Sequence, residues 1–542
     1  MLILERRHMS QQTFFEEKER KLINLKEASQ WASQYLNRKV TISNISYLLQ
    51  YGRLKKYGTN GNPLLNREEL KDYYDSFTKE KQWKKILGED LNWHLSFVEY
   101  KEAERTKHVH RLHPYKGKFI PQLVEYFLDS HTDEFKKEVY FHESDIILDP
   151  FCGSGTTLVQ ANELGMHAIG IDISSFNAMI TNIKVEKHNF LLIAEAIHKL
   201  TSRLKDLQRT RSNIIFEEQL LSELAKFNAR YFPSPEYKRK VAKGEINEDE
   251  YANEKEKKFL DIYYVLVEKY QIKIKQDKND TFLDRWFLSP VREEIDFLFD
   301  ELKTIDNKDV KRVLAVILSR TVRSCRATTH ADLGTLKEPV TTIYYCKKHG
   351  KICKPIFSMA GWWQTYTVDT LNRFKEFNKL RTETLQICLA GDSRTIDIYE
   401  ETKKINIDFA EILSRQKIRG IFSSPPYVGL IDYHEQHAYA YEIFGFQRKD
   451  ELEIGPLVKG QGKEARDSYM QGIADVLKNC KKYLQNKYDV FLVANDKFNL
   501  YPKIAELAEM KIVNQFKRPV LNRVEKDRDT AYAETIFHLK EI

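Results

Sequence analysis

Two acidic residues follow short apolar runs on either side of a glycine-rich turn. The first run, residues 146–148, ends at Asp149, and glycines stand at Gly153 and Gly155. The second run ends at Asp172, about 20 residues further on, where an acid can accept hydrogen bonds from ribose hydroxyls. A pyrophosphate site would require a third glycine, which is missing here. An acid beside the turn repels a pyrophosphate, so the pattern favours a cationic ligand.

A third chemical pattern, Ser424-Pro425-Pro426-Tyr427, follows the apolar residues 421–423. The Ser424 hydroxyl and the Pro425 carbonyl can accept hydrogen bonds, and two prolines restrict the backbone that holds them. Such acceptors can bind the hydrogens of an amino group and favour a pyramidal, more nucleophilic nitrogen. Tyr427 offers a face on which an extruded base can stack. Taken alone, the same residues would indicate only a rigid turn after a strand.

Together these patterns resemble the motifs of amino-group DNA methyltransferases. Residues 149–157 and 170–174 resemble motifs I and II, residues 113–121 motif X, residues 390–393 motif III, and residues 424–427 motif IV. The resemblance implies S-adenosylmethionine as cofactor and in-line transfer of its methyl group to nitrogen. It implies catalytic roles for Ser424, Pro425, Pro426 and Tyr427. The cofactor contacts implied are Lys118, Phe119, Asp149, Phe151, Gly153, Gly155, Thr156, Asp172 and Asp392.

The residue types also bear on the substrate. In this family serine at the first position of motif IV favours cytosine N4, whereas Asp or Asn favours adenine N6, which remains the alternative. Methylation of cytosine C5 requires a cysteine nucleophile, usually after proline, and the sequence contains no Pro-Cys pair. An RNA or tRNA methyltransferase is a further alternative, because it shares the Asp-Pro-Phe-Cys-Gly-Ser-Gly and Pro-Pro-Tyr patterns. Intact motifs argue against a DNA-binding regulator with a decayed catalytic domain.

These residues need a sheet to position them. Strands are predicted at 146–148, 168–172, 421–423, 488–496 and 533–539, with a helix at 156–164. The predicted fold class is α/β: a Rossmann-like class I methyltransferase sheet with a helical insertion and an N-terminal winged helix. We expect a winged-helix DNA-binding module at 1–83 and methyltransferase parts at 84–184 and 385–542. Between these parts, residues 185–384 are expected to form a helical insertion for target recognition and DNA binding.

The N-terminal pattern of helix, helix, hairpin and helix resembles a small winged helix of the excisionase type. In that family the second helix enters the major groove and the wing contacts the backbone. The phosphate contacts that this implies are Arg38, Lys39, Arg53, Lys55 and Lys56. The alternative is a packing module with a solvated basic face.

Two patterns in the middle of the chain are open to more than one interpretation. Arg320, Arg323 and Arg326 recur every third residue, which predicts one helical face suited to a phosphate backbone or simply to solvent. Cys346-x2-His349-x3-Cys353 has metal-like spacing, with Cys325 or His330 as a fourth ligand. Because this falls short of a zinc signature, we expect packed thiols in a hairpin and no metal.

Length and composition limit the number of domains, the cellular compartment and the kinds of partner. The 542 residues exceed one ordinary core, which predicts two or three domains. No run of about 18 apolar residues suggests a membrane span, and six cysteines in so long a chain favour a reducing cytoplasm. The net charge of +8 fits either solubility or affinity for a polyanion. The expected partners are double-stranded DNA with a short specific site and a companion restriction endonuclease, without a membrane.

Overall fold

The computed structural model describes residues 22–37, 39–50, 54–58, 63–77, 91–97, 100, 104, 106–115, 117–209, 211–330, 332, 336–520 and 532–542. The N-terminal part combines three helices with a three-stranded antiparallel sheet of order β1-β3-β2. Its elements are β1 (Leu22–Asn24), α1 (Leu25–Tyr35), α2 (Ile42–Gln50), β2 (Tyr57–Gly58), β3 (Pro63–Asn66) and α3 (Arg67–Phe77). A capping box between Asn24 and Glu27 fixes the start of α1.

A seven-stranded sheet forms the centre of the molecule, in the order β11-β12-β10-β9-β4-β5-β8. Strand β12 pairs antiparallel with both β10 and β11, and all the other pairs in the sheet are parallel. Its strands are β4 (Ile146–Asp149), β5 (His167–Asp172), β8 (Gln386–Ala390), β9 (Ile418–Ser423), β10 (Leu484–Ala494), β11 (Met510–Pro519) and β12 (Ala533–Glu541). The chain runs outward from β4 to β8 and then returns to β9 on the other side of β4. The strand order therefore reverses between β4 and β9, where α/β sheets bind ligands at the carboxyl ends of their strands.

Helices cover both faces of this sheet. Along β4, Ile147 faces one hydrophobic core and Leu148 the other, as the two-residue period of a strand requires. The flanking helices are α4 (Pro121–Leu128), α5 (Thr156–Glu163), α6 (Ser175–Val185), α15 (Ile398–Ile405), α16 (Ile407–Arg415), α17 (Tyr433–Gln436), α18 (Ala438–Phe444), α19 (Lys463–Lys481) and α20 (Tyr501–Leu507). Short 3-10 helices lie at Trp93–Ser96, His108–Arg111, Asp450–Leu452 and Leu457–Lys459.

Between β5 and β8 the chain forms a layer of helices and one small hairpin. The helices are α7 (Phe190–Arg209), α8 (Asn213–Tyr231), α9 (Glu236–Ala242), α10 (Glu248–Lys269), α11 (Phe282–Trp286), α12 (Ser289–Lys303), α13 (Lys308–Ser324) and α14 (Ala360–Asn378). The hairpin consists of β6 (Tyr344–Cys346) and β7 (Lys351–Cys353). The buried apolar side chains of the insertion helices share one core with a face of the central sheet, so the insertion packs directly against the catalytic half. Among the described residues, no helix is both long and apolar enough to cross a membrane.

Candidate active site

The turn after β4 depends on two glycines in left-handed conformations, with φ of +51° at Gly153 and +76° at Gly155. A Cβ on Gly153 would lie 2.9 Å from the ring of Tyr115, and one on Gly155 would lie 2.5 Å from Thr181 Cγ2. Helix α5 begins at the next residue, Thr156. Tight packing therefore requires glycine at both positions, as the sequence indicates.

Asp172, at the end of β5, holds this turn in place. Its Oδ2 accepts from the Gly153 amide at 2.8 Å, and its Oδ1 accepts from the Ser174 amide at 2.9 Å and from Asn177 Nδ2 at 3.1 Å. The carboxylate thus couples β5 to the glycine turn, and it also lines the cavity at this edge of the sheet. Any contact with a ribose would add to these bonds, since each carboxylate oxygen can accept more than one hydrogen bond.

A cavity open to solvent lies at the carboxyl ends of β4, β5 and β9. It collects most of the predicted cofactor residues and two residues of the catalytic loop. Its wall includes Lys118, Phe119, Asp149, Phe151, Gly153, Thr156, Asp172, Asp392, Ser424 and Pro426. Gly155 shapes the turn without lining the cavity.

Two buried carboxylates face this cavity, and no described lysine or arginine pairs with either. Burial raises the pKa of Asp149 to about 6, against the opposing effect of a hydrogen bond from Ser423. Burial likewise raises the pKa of Asp172 to about 7. A cationic ligand would relieve the cost of holding these groups ionised in the interior. The cavity therefore fits a ligand that carries positive charge near Asp149, as S-adenosylmethionine does.

The other predicted cofactor contacts have different surroundings. Asp392 forms a bidentate ion pair with Arg394 and also accepts a hydrogen bond from the Arg394 amide. These contacts hold the pKa of Asp392 below its usual range. Lys118 Nζ donates to the His110 carbonyl at 2.7 Å, and burial lowers its pKa to about 8. Both residues border the cavity with part of their bonding capacity already in use.

The Ser424–Tyr427 loop lies beside the cofactor turn because β9 pairs with β4. Ser423 Oγ donates to Asp149 Oδ1 at 2.5 Å. Ser424 Oγ donates to the Val493 carbonyl at 3.1 Å. Because the Ser424 proton points to Val493 at the end of β10, the oxygen lone pairs are left to accept from another donor. The Ser424 oxygen can therefore still accept a hydrogen bond from a further donor.

The other two loop residues lie outside the cavity wall. Pro425 is buried and fixes the backbone between Ser424 and Pro426. Tyr427 is half-buried, and its hydroxyl donates to Glu534 Oε1 at 3.0 Å. This bond ties the tyrosine to β12 and limits the directions in which its ring can face.

The sequence did not predict a chain of hydrogen-bonded polar side chains that also lines the cavity. Tyr441 donates to Ser174 Oγ at 2.5 Å and bonds with His434 Nδ1 at the same distance, while the His434 amide donates to Glu453. His434, Glu453 and Ser174 all line the cavity. No local motif marks His434 or Glu453. Only the fold brings the segment after the catalytic loop back over the cofactor turn.

The predicted arginine face needs correction. Helix α13 ends at Ser324, so Arg326 lies beyond it and cannot share a helical face with Arg320. Arg320 is 5% exposed, donates to Asp369 at 2.5 Å and to Thr370 at 2.6 Å, and lies over the Tyr366 ring. Arg326 is equally buried, and burial lowers its pKa to about 10. Packing of α13 against α12 and α14 turns its arginines inward, so Arg320 and Arg326 do not form an exposed phosphate-binding face.

The basic residues of the N-terminal part are placed only in part. Lys39 and Lys55 are exposed and Lys56 is half-buried, while Arg38 and Arg53 lie outside the described residues. Lys55 Nζ lies 5.5 Å from the ring centre of Tyr57. These positions leave Lys39 and Lys55 accessible to a partner.

A mostly parallel seven-stranded sheet with an acid-lined cavity beside a Ser-Pro-Pro-Tyr loop is consistent with a methyltransferase fold. Comparison with known proteins agrees: the DNA methylase family model matches residues 9–182. Type II methyltransferase M.MjaII of Methanocaldococcus jannaschii is 45% identical over 533 residues, which cover 96% of this chain and 97% of that protein.

Shorter matches point the same way. Type II methyltransferase M.MvaI of Kocuria varians is 31% identical over 133 residues, 24% of this chain and 27% of its own length. Type II methyltransferase M.BsoBI of Geobacillus stearothermophilus is 33% identical over 112 residues, 21% of this chain and 19% of its own length. The chain belongs to the type II DNA methyltransferases, whose cofactor is S-adenosylmethionine. This membership favours DNA over the RNA or tRNA alternative.

Proposed function

We propose that this protein methylates N4 of cytosine within a specific double-stranded DNA site. The observation that carries the proposal is the placement of Ser424, which lines the cavity of the cofactor acids while donating its proton to the Val493 carbonyl. A neutral serine stands where adenine-specific relatives carry Asp or Asn. Adenine N6 is the alternative product of the same chemistry.

The proposed chemistry divides the work between acceptors and positioning groups. The Ser424 oxygen and the Pro425 carbonyl accept the two amine hydrogens, which withdraws the nitrogen lone pair from conjugation with the ring. Tyr427 supplies a stacking face for the extruded base. Asp149 and Asp172 hold the cofactor, which supplies the methyl group. Holding base and cofactor side by side accounts for a large part of the rate acceleration.

The methylated nucleoside in the reaction product identifies the target base. Genomic DNA from a strain that lacks the gene is methylated with the purified protein, digested to nucleosides and analysed by mass spectrometry. We expect N4-methylcytosine. N6-methyladenine alone would replace the cytosine assignment but keep the mechanism, whereas 5-methylcytosine would contradict the mechanism as well. A Ser424→Ala sample processed in parallel controls for residual host methylation.

The N-terminal part is proposed to be a winged-helix module that binds DNA. Its order of helix, helix, strand pair and helix supports this, as do the exposed Lys39 and Lys55. Removal of residues 1–80 should weaken DNA binding more than it slows methyl transfer at saturating DNA. The dependence of affinity on salt should also flatten, because each lost phosphate contact removes released counterions. If the dependence of DNA affinity on salt concentration is unchanged, the N-terminal part packs against the rest of the protein and does not contact DNA phosphates.

A more specific test of DNA binding by the N-terminal part replaces two of its exposed lysines instead of deleting it. The double variant Lys39→Glu/Lys55→Glu should reproduce most of the loss of DNA affinity caused by removal of residues 1–80, while the N-terminal part stays folded. Lys487→Glu with Lys511→Glu, at exposed lysines on β10 and β11, makes the same change in net charge and serves as the matched control. A loss as large in the control would show a general effect of net charge.

The insertion between β5 and β8 is proposed to recognise the target sequence. It packs against α18, which follows the catalytic loop, and this proximity to the proposed base-binding loop supports the proposal. Arg323, which remains half-buried on α13, stays a predicted DNA contact. A companion restriction endonuclease that cuts the unmethylated site completes the proposed system. Exchange of residues 185–384 with those of a relative should change the modified site, whereas retention of the original site would place recognition elsewhere.

A further inference from the structure

The β6–β7 hairpin brings four metal-ligand side chains together in the insertion. Cys346 ends β6, His349 lies in the turn, and Cys353 ends β7. His330 comes from the segment that follows α13. The ligand atoms of all four lie within 4.8 Å of one another.

The turn itself is shaped to place His349. Gly350 adopts φ of +61°, and the amides of His349 and Gly350 both donate to the Cys346 carbonyl, at 3.0 and 2.7 Å. This tight reversal returns the imidazole to the side of the hairpin that carries both thiols. Cys353 Sγ lies 3.5 Å from His349 Nδ1. Zinc bonds of about 2.3 Å to sulfur and 2.05 Å to nitrogen at a tetrahedral angle give a separation of about 3.6 Å.

His330 is oriented by a partner, as metal-bound histidines usually are. Its Nδ1 bonds with the Tyr344 hydroxyl at 2.7 Å, which leaves Nε2 for the cluster. The Tyr344 hydroxyl also accepts from the His330 amide at 3.1 Å. Two bonds from one residue therefore fix the backbone and the ring of His330. The ring centres of His330 and His349 lie 4.4 Å apart.

Packing alone is a weak explanation for this arrangement. Among the described residues, the local apolar cluster consists of Tyr344, Cys346 and Cys353, with Val340 against it. Both histidines are exposed, whereas both cysteines are buried. The helical side of the hairpin has its own anchors: Asn228 bonds with both the amide and the carbonyl of Ile352. On the other side, the four ligand residues join the hairpin to the segment after α13.

We propose that Cys346, Cys353, His330 and His349 form a structural zinc site. Four protein ligands leave no open position, so the site would fasten the hairpin and take no direct part in catalysis. Binding of Zn²⁺ would release the two thiol protons to solvent and form two thiolate bonds. The fourth ligand is His330 and not Cys325, which is buried in the main core. This departs from the expectation of packed thiols, because the sequence could not show that His330 reaches the hairpin.

Metal content of the purified full-length protein tests the proposal. Elemental analysis should find about one equivalent of zinc in wild type. Cys346→Ser, Cys353→Ser and His330→Ala should each lose most of it. Cys325→Ser and His198→Ala are matched controls, since Cys325 lies in the main core and His198 is exposed on α7, and both should retain zinc. Retention of zinc by the double variant Cys346→Ser/Cys353→Ser would overturn the assignment.

Cobalt substitution of wild type avoids reliance on variants that fold poorly. Replacement of zinc by Co²⁺ should produce the strong visible bands of a tetrahedral site and a thiolate-to-cobalt charge-transfer band. Weak bands without charge transfer would overturn the proposed ligand set. The proposal also fails if wild type supplied with zinc takes up none, whether the two thiols are found free or joined as a disulfide.

Discussion

Replacement of Ser424 by alanine tests the proposed chemistry most directly. The hydroxyl donates to the Val493 carbonyl at 3.1 Å, so its free lone pairs face away from that bond. Alanine removes the acceptor from the target amine but leaves Asp149, Asp172 and the glycine turn unchanged. Methyl transfer should therefore fall while affinity for S-adenosylmethionine stays close to that of wild type.

The size of the effect follows from the interactions that are lost. One positioned hydrogen bond to the reacting group should cost on the order of a hundredfold in rate, or about 2.7 kcal/mol of activation free energy. Loss of the bond to Val493 should cost stability only about 0.5–1.5 kcal/mol. The variant should thus remain folded with a large catalytic defect, which separates a chemical role from a structural one.

Single-turnover methyl transfer with excess enzyme and a radiolabelled methyl donor measures this rate without product release. Calorimetry measures cofactor affinity on the same preparation. Ser414→Ala is the matched control, because its hydroxyl also donates to a backbone carbonyl, that of Glu411, at an exposed position outside the cavity. A rate close to wild type with Ser424→Ala would refute the acceptor role of Ser424.

The remaining predictions concern the cofactor and the base. Between pH 7 and pH 5, affinity for S-adenosylmethionine should fall by at least about tenfold, because Asp149 and Asp172, with pKa values of about 6 and about 7, must ionise to bind a cation. Asp149→Asn should make this pH dependence less steep in calorimetric titrations, and the contribution of Asp172 should remain. Asp172→Asn removes the charge and places its amide nitrogen against an N–H donor of Gly153 or of Ser174, so cofactor affinity should weaken in calorimetry and the melting temperature should also fall. Gly153→Ala must displace Tyr115 and adopt a strained φ at a cost of about 1–2 kcal/mol, so the thermal shift produced by S-adenosylmethionine should shrink. Tyr427→Ala should weaken binding of the intact DNA site by removing about 1–3 kcal/mol of stacking on the flipped base. It should weaken binding of a duplex with an abasic nucleotide at the target position less, because that duplex has no base to stack; equal losses for the two duplexes would deny the stacking role.

Local sequence predicted the cofactor turn and much of the central sheet. The apolar run before Asp149 and the glycines after it specify a strand, a turn and a helix within residues 146–164. The observed β4 and α5 agree with that prediction to within a residue or two. Strand β11 was missed because its inward-facing residues alternate with lysine, asparagine and glutamine, which resembles a surface segment.

Errors arose where tertiary packing decides the outcome. Three arginines at a spacing of three residues predict a common face, but the spacing does not say whether that face meets solvent or a neighbouring helix. Here Asp369 and Thr370 on α14 bind Arg320, so the charge is satisfied inside the protein. The same limit applies to His330, whose approach to Cys346 and Cys353 depends on how the segment after α13 returns to the hairpin.

The relation between the two halves of the active site could not be read from either motif alone. Asp149 and Ser423 stand 274 positions apart in sequence, yet Ser423 donates to Asp149 at 2.5 Å because β4 and β9 are adjacent parallel strands. The next residue along, Ser424, is the proposed acceptor for the target amine. A change in the charge of Asp149 on cofactor binding would therefore act on the strand end that carries Ser424. This short path provides a physical reason why the insertion can grow between β5 and β8, since neither the Asp149 turn nor the Ser424 loop depends on that part of the chain for its contact with the other.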